Sequence, residues 1–96
     1  MKDKVLKEKW VAALRSGNYK QGQENIRTLD NKFCCLGVLC DIINSNLWYK
    51  PISYPTIYLW GNGQYNIEIS QQNYINLNDR QGKTFDEIAD FIEENE

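Results

Sequence analysis

The sequence contains no histidine, few cysteines and no long apolar run. Histidine is the side chain that most often transfers protons near neutral pH, so its absence excludes Ser-His-Asp and Cys-His catalysis and any zinc site with a His ligand. No stretch approaches the ~20 apolar residues that a membrane-spanning helix needs. Residues 1–9 are mostly charged and contain no cleavable apolar segment, so we expect neither a membrane span nor secretion.

The three cysteines lie together in an apolar segment. Cys34, Cys35 and Cys40 form no C-x-x-C pair, and their odd number argues against a disulfide framework and for a reducing, cytoplasmic setting. Buried cysteine usually behaves as a small hydrophobic residue, whereas a reactive thiolate needs an electropositive, partly exposed site. Structural cysteines are therefore favoured over a catalytic one.

Length and charge limit the function further. A chain of 96 residues has the size of one small domain, and we expect residues 1–96 to form a single domain. Residues 1–32 carry eight basic and four acidic groups, a net +4, whereas residues 33–96 carry three and nine, a net −6. Either a basic helix face balances an acidic one, or the N-terminal half forms a positive concavity for phosphate. The acidic total argues against binding to long nucleic acid.

Apolar periodicity predicts three helices. Residues 3–16 carry apolar positions at three- and four-residue spacing and are followed by Gly17, a suitable C-cap. Residues 34–45 are almost continuously apolar, which favours a buried helix that ends near Asn44. Thr84 and Glu87 form a capping box, and an apolar stripe follows to about Asn95.

The other segments predict strands and turns. Residues 25–28 and 32–33 form a candidate hairpin, and the aromatic-rich segment 47–69, with a turn at 61–63, indicates short strands. Residues 71–77 fit either a helical turn or a strand, and residues 78–82 predict a polar turn. The expected fold class is α+β, with an N-terminal helix, a small antiparallel sheet, a central buried helix and a capped C-terminal helix.

Catalytic and metal-binding patterns are weak. Carboxylate pairs in the C-terminal half lack metal-ligand partners and a nucleophile, so solvated acids on a helix face explain them better. No glycine-rich nucleotide-binding loop is present. We therefore expect no enzyme activity, no catalytic residue, no metal site and no cofactor.

Two polar loops carry residue types that suit a small nucleotide. Arginine can clamp a phosphate, an aromatic ring can stack on a base, and amide or carboxylate groups can bind base edges. Such loops are common on protein surfaces, and the aromatic residues of 47–69 fit core, cross-strand or subunit packing as well as a ligand cage. The candidate ligand-binding residues are Tyr19, Lys20, Gln21, Arg27, Trp60, Asn78, Asp79 and Arg80.

Three motifs resemble a family of small proteins from bacteriophages and prophages. They read WVAALRSGNYKQG at residues 10–22, IRTLDNKFCCLGVLCD at 26–41 and LNDRQGKTFDEIADFIEE at 77–94. The family that they resemble includes the phage anti-CBASS sponges, which oligomerise and sequester the cyclic dinucleotide signals of bacterial antiphage defence. Segment 47–69 matches least, so its aromatic residues receive no role from the resemblance.

The resemblance implies binding without chemistry. The expected protein is a homo-oligomer, tetramer or dimer, that holds a cyclic dinucleotide of the 3′3′-cGAMP type in the cytoplasm of the infected bacterial host. A two-fold symmetric ligand suits a site at a dimer axis. In this interpretation Arg27, Arg80 and Lys20 contact the phosphodiesters, Tyr19 or Trp60 stacks on a base, and Gln21, Asn78 and Asp79 bind base edges.

Two other functions stay open at this point. The first alternative is a phage protein that inhibits a host enzyme by direct contact, using the acidic C-terminal helix as its interaction face. The second is a phosphodiesterase that cleaves the signal, which the missing histidine disfavours because that reaction needs proton transfer or a metal cluster.

Overall fold

The computed structural model describes residues 4–43, 52–53 and 71–96. No helix in these ranges is long and apolar enough to cross a membrane. Three strands lie between the first and second helices, a fourth strand follows the second helix, and a π-helical segment continues the third helix. The elements are α1 Lys4–Arg15, β1 Lys20–Gln21, β2 Asn25–Arg27, β3 Lys32–Phe33, α2 Cys35–Ile43, β4 Ile52–Ser53, α3 Gln71–Ile75, the π-helical segment Asn76–Arg80 and α4 Phe85–Asn95.

The three predicted helices are confirmed. α1 buries one apolar face, as its periodicity indicates, and Gly17 follows it with a φ of +78°, a conformation that suits glycine at a helix C-terminus. α2 is buried from Cys35 to Cys40, so its continuous apolar run reflects burial on all sides. At the start of α4, Glu87 N donates to Thr84 Oγ1 at 3.2 Å and Thr84 N donates to Glu87 Oε1 at 3.0 Å.

The sheet is mixed, so the prediction of an antiparallel sheet is wrong. The strand order is β1-β3-β2-β4, and β1 pairs with β3 in parallel, with Lys20 beside Lys32. The predicted hairpin is present, since β2 and β3 pair antiparallel, and β4 pairs antiparallel with β2. Gly22 permits the parallel contact, because a Cβ at that position would lie 2.7 Å from the Lys32 Cβ. This close approach depends on residues ten apart, which local periodicity does not reveal.

The residues around the π-helical segment differ from expectation in one respect. Residues 71–77, for which the sequence allowed a helical turn or a strand, are helical. The polar turn predicted at residues 78–82 is wrong for residues 78–80. Asn76–Arg80 forms a π-helix, in which Gln81 N donates to Asn76 O at 2.8 Å. Leu77 and Asn78, within this π-helix, are buried. Trp60, the predicted turn at 61–63 and the other predicted strands of 47–69 lie outside the described residues, apart from β4.

The core lies where α1, α2, α3 and α4 meet. Trp10 packs against Tyr74 with ring centroids 5.1 Å apart, and its Nε1 donates to the main-chain oxygen of Cys35 at 2.9 Å. The three cysteines are free and buried in this core. Burial raises the pKa of the Cys35 and Cys40 thiols, so the structure places them as apolar packing residues.

Candidate functional site

The side-chain amide of Asn78 is the centre of a buried polar network. Asn78 has 0% exposure; its Oδ1 accepts from Gln21 Nε2 at 2.9 Å and from Cys35 N at 3.2 Å. Its Nδ2 donates to Gly22 O at 2.8 Å and to Asp79 Oδ1 at 2.7 Å. An amide group offers two donors and two acceptor lone pairs. All four positions of Asn78 are therefore occupied by the protein itself.

Gln21 extends this network to the start of α4. Its Nε2 also donates to Lys83 O at 2.7 Å, and its Oε1 accepts from Phe85 N at 3.1 Å. The Phe85 N–H belongs to the first turn of α4, where main-chain donors have no partner within the helix. Gln21 therefore joins β1, the π-helical segment and α4. It retains one acceptor lone pair, whereas Asn78 retains no group for a ligand.

An open groove of about 520 Å³ lies beside the network, between the β2–β3 hairpin and the residues that precede α4. We call it the hairpin groove. Its volume is within the ~300–1,000 Å³ range of small-molecule sites. The residues that line it are mostly polar: Gln21, Gly22, Gln23, Thr28, Asp30, Lys32, Gly82 and Lys83.

Two ammonium groups among the described residues line the hairpin groove. Lys32 Nζ lies 3.4 Å from an Asp30 carboxylate oxygen, and Lys83 Nζ lies 3.8 Å from a Glu87 carboxylate oxygen. These pairs are solvent-exposed, and exposed pairs typically contribute ~0–1 kcal/mol. Both cations can therefore exchange partners for an anion at little cost. Lys20 is the register partner of Lys32 in the parallel β1–β3 pairing, so a third lysine lies at this part of the sheet.

Tyr19 and Arg27 both contact one aromatic residue, Phe33. The Tyr19 and Phe33 ring centroids are 5.1 Å apart, edge to face, and the Arg27 guanidinium carbon is 5.4 Å from the Phe33 centroid. Tyr19 donates its hydroxyl to Asp41 at 2.6 Å, and burial together with this bond raises the pKa of Tyr19 to about 12. Arg27 Nε donates to Asn31 Oδ1 at 2.8 Å. This cluster packs the hairpin onto the core.

The structure thus divides the predicted ligand residues into groups. Gln21, Asn78 and Asp79 share the buried network, while Tyr19 and Arg27 share the Phe33 cluster. Lys20 and Arg80 are exposed, on β1 and at the end of the π-helical segment. Trp60 lies outside the described residues. Of the seven candidates that the structure describes, Gln21 lines the hairpin groove.

Sequence reasoning missed Lys32 and Lys83, two cations that line the hairpin groove among the described residues. Lys83 follows the polar segment 78–82 directly, so its position was a usable signal. Lys32 becomes relevant through the pairing of β3 with β1, which the sequence pattern did not predict. Among the described residues, no three acidic or cysteine side chains converge in a way that could hold a metal ion.

Comparisons with known proteins identify a family. No curated protein and no solved structure matches the chain. A family model described as a domain of unknown function, DUF8296, matches residues 1–67. This range holds α1, the four strands and α2, including Lys32 of the hairpin groove. The chain therefore belongs to the DUF8296 family.

Proposed function

We propose that this protein is a phage-encoded, non-enzymatic binder that sequesters a cyclic dinucleotide of the 3′3′-cGAMP type in the infected bacterial host. The observation that supports the proposal is the hairpin groove, an open cavity of about 520 Å³ lined by Lys32 and Lys83. The resemblance to phage proteins of the anti-CBASS type supplies the ligand class. The proposed active form is a homo-oligomer, a tetramer or a dimer.

The arrangement of cations fits a ligand with two phosphodiesters. Lys32 belongs to β3 and Lys83 precedes α4, so the two ammonium groups enter the groove from separate segments. A lysine binds phosphate as a point charge with three donors, and each of the two can meet one phosphodiester. Lys20 adds positive potential beside Lys32. Gln21 can offer its remaining lone pair to an amino group on a base edge.

Sequestration would depend on stoichiometric binding of the signal by the protein. A binder that is abundant relative to the signal lowers the free signal concentration below the level that the defence effector needs. This mechanism requires no nucleophile and no proton transfer, which agrees with a chain that has no histidine.

Native mass spectrometry tests this proposal directly. We expect the protein to gain a fixed number of 3′3′-cGAMP molecules, selected from a panel of cyclic di- and trinucleotides, and to release them unaltered on denaturation. Lys32→Ala and Lys83→Ala should each weaken binding at least about tenfold, since each removes a charged hydrogen bond to phosphate. Lys7→Ala on α1 is the matched control and should leave binding unchanged.

Either of two results would contradict the proposal. One is a protein that binds no member of the panel; the other is a ligand that returns hydrolysed, which would indicate a phosphodiesterase.

Direct inhibition of a host enzyme is the second candidate. The observation that favours it is the exposed acidic surface of α4, which includes Asp86, Glu93 and Glu94. Capture of a host enzyme that survives Lys32→Ala and is lost on charge reversal of these acids would support inhibition. A nucleotide binder would show the opposite pattern.

A further inference from the structure

Asp30 is the one carboxylate among the described residues that line the hairpin groove. It lies in the turn that joins β2 to β3, and its side chain is exposed. A negative charge at this place weakens the positive potential with which Lys32 and Lys83 would attract phosphate. Its presence in the groove therefore indicates a ligand that carries hydrogen-bond donors as well as phosphate.

The turn holds the Asp30 carboxylate in position before any ligand arrives. Thr28 N donates to Lys32 O at 2.8 Å, Asn31 N donates to Thr28 O at 3.1 Å, and Lys32 N donates to Thr28 Oγ1 at 3.0 Å. Asn31 has a φ of +65°, a left-handed conformation in which asparagine is enriched. Thr28 Oγ1 in turn donates to Asp30 Oδ1. A ligand that binds this carboxylate therefore meets a preorganised acceptor.

Both oxygens of Asp30 can still accept hydrogen bonds. An ionised carboxylate has about four lone-pair sites, and Thr28 occupies one of them. Asp30 Oδ2 lies 3.4 Å from Lys32 Nζ, farther than the ~2.7–2.9 Å of a charge-assisted hydrogen bond. The hydrogen bond from Thr28, with the nearby Lys32 ammonium, lowers the pKa of Asp30, so the group is ionised at neutral pH.

The pattern of donors on a base edge determines which base this carboxylate accepts. The Watson–Crick edge of guanine has two adjacent donors, the N1–H and the N2 amino group, which match the two oxygens of a carboxylate. The same edge of adenine has one donor, the N6 amino group, beside the N1 lone pair, which would face the carboxylate and be repelled by it. When Lys32 moves to a phosphodiester, the donors of guanine replace the cation beside Asp30.

We propose that Asp30 binds the Watson–Crick edge of a guanine base in the hairpin groove and so selects guanine-containing ligands. This inference rests on the proposed function and adds the base that the protein selects. Gln21 cannot make the selection, because both its donors are used and its remaining lone pair can accept from the amino group of either base. Asp79, which the sequence suggested for a base edge, accepts from Asn78 Nδ2 at 2.7 Å inside the buried network.

Two ligands that differ in one base test the proposal. 3′3′-cGAMP and cyclic di-AMP have the same two phosphodiesters, but the first has a guanine where the second has an adenine. In isothermal titration calorimetry we expect the wild type to bind 3′3′-cGAMP at least about tenfold more tightly, because charge-assisted hydrogen bonds to Asp30 distinguish the two. Asp30→Asn should bring the two affinities within about threefold of each other, mainly by weakening the binding of 3′3′-cGAMP.

The ratio of the two affinities separates base selection from a structural role. Asp30→Asn keeps an oxygen that can accept from Thr28, and circular dichroism verifies that the variant folds. Glu8→Gln removes the same charge at an exposed position of α1 and should leave both affinities unchanged. If Asp30→Asn weakens both ligands equally, or leaves the preference for 3′3′-cGAMP intact, the role of Asp30 is overturned. Equal binding of the two ligands by the wild type would overturn guanine selection and leave sequestration standing.

Mononucleotides distinguish a failure of this inference from a failure of the proposed function. If no cyclic dinucleotide binds, the proposed function is contradicted, and the same titrations with GMP and AMP decide the guanine site. A preference for GMP of at least about tenfold that Asp30→Asn abolishes would support the guanine site without sequestration. Equal affinities for GMP and AMP, or no binding of either, would then overturn it.

Discussion

Asn78 is a polar residue that lies inside the core, with its amide bonded to Gln21, Gly22, Cys35 and Asp79. Burying an amide is costly unless its donors and acceptors find partners, and here all of them do. The residue types that bind a base edge are the same types that bind a main-chain group. Composition alone could therefore not distinguish a ligand contact from this internal one.

Removal of the Asn78 amide should destabilise the fold. Asn78→Ala leaves the Cys35 N–H and the Gly22 carbonyl without their partner, and an unpaired buried group costs ~1–3 kcal/mol. We expect a loss of about 2–4 kcal/mol in the free energy of unfolding, measured by urea denaturation. Asn18→Ala, at an exposed loop position, should change it by less than about 0.5 kcal/mol. A similar effect of both variants would show that the network adds little.

Tyr19 makes the stability depend on pH in the alkaline range. Its pKa is raised to about 12 by burial and by the bond to Asp41, whereas an unfolded tyrosine titrates near 10. The folded state therefore keeps a proton that the unfolded state loses, so this contribution is complete below pH 10 and declines as the pH rises from 10 to 12. Tyr19→Phe should flatten the decline in urea-unfolding free energy over that interval; an unchanged slope would contradict this assignment.

At the scale of elements, the start of α4 is fixed from two directions. Thr84 and Glu87 cap it locally, and Gln21 accepts from Phe85 N across 64 residues of sequence. The hydrogen bond from the Thr84 main chain to the Glu87 carboxylate lowers the pKa of Glu87. The first bond pair is visible in the sequence as a capping box, because it joins residues three apart. The second depends on where β1 lies, which the sequence pattern did not reveal.

Loss of the cap should have a measurable but limited effect. Thr84→Ala removes the acceptor for Glu87 N and should lower the free energy of unfolding by about 1 kcal/mol. Thr84→Ser keeps a hydroxyl in the same place and should preserve most of the stability. Thermal or urea denaturation of both variants provides the measurement. An equal loss in the serine variant would mean that the methyl group matters more than the cap.

At the scale of the whole molecule, opposite charges in distant parts of the chain lie next to each other. Arg15 contacts both Asp90 and Glu93, at 2.6 and 3.4 Å, so part of the basic N-terminal third neutralises part of the acidic α4. This supports a basic helix face balanced by an acidic one as an account of the charge asymmetry. Among the described residues, Lys20, Lys32 and Lys83 lie on or beside the hairpin groove and are candidates to contact phosphate.

The three buried cysteines offer a probe of the whole fold. Cys34, Cys35 and Cys40 are free and buried, and burial raises the pKa of the Cys35 and Cys40 thiols. In the native protein we expect them to react with a thiol reagent only as fast as the core opens, and all three to react at once in urea. Rapid modification of even one thiol under native conditions would mean that α2 is accessible without global unfolding.

The sequence by itself determined the elements whose signals are local. The apolar spacing of α1, the apolar run of α2, the hairpin and the capping box of α4 each involve residues a few positions apart, and all four occur in the structure. A local sequence pattern indicates which residues of one segment can be buried or can cap a helix. This is because the periodicity of a helix or strand is visible within a few consecutive residues.

Only the tertiary structure decided how these elements combine and which side chains remain for a ligand. The parallel pairing of β1 with β3, the burial of Asn78 and the meeting of Lys32 with Lys83 in one groove each join residues from separate elements. Such choices depend on packing and on satisfying every buried hydrogen-bonding group at once. An Asn, Gln or Lys side chain can bind a ligand or can stabilise the fold. Which of the two roles each side chain has depends on whether packing leaves it exposed.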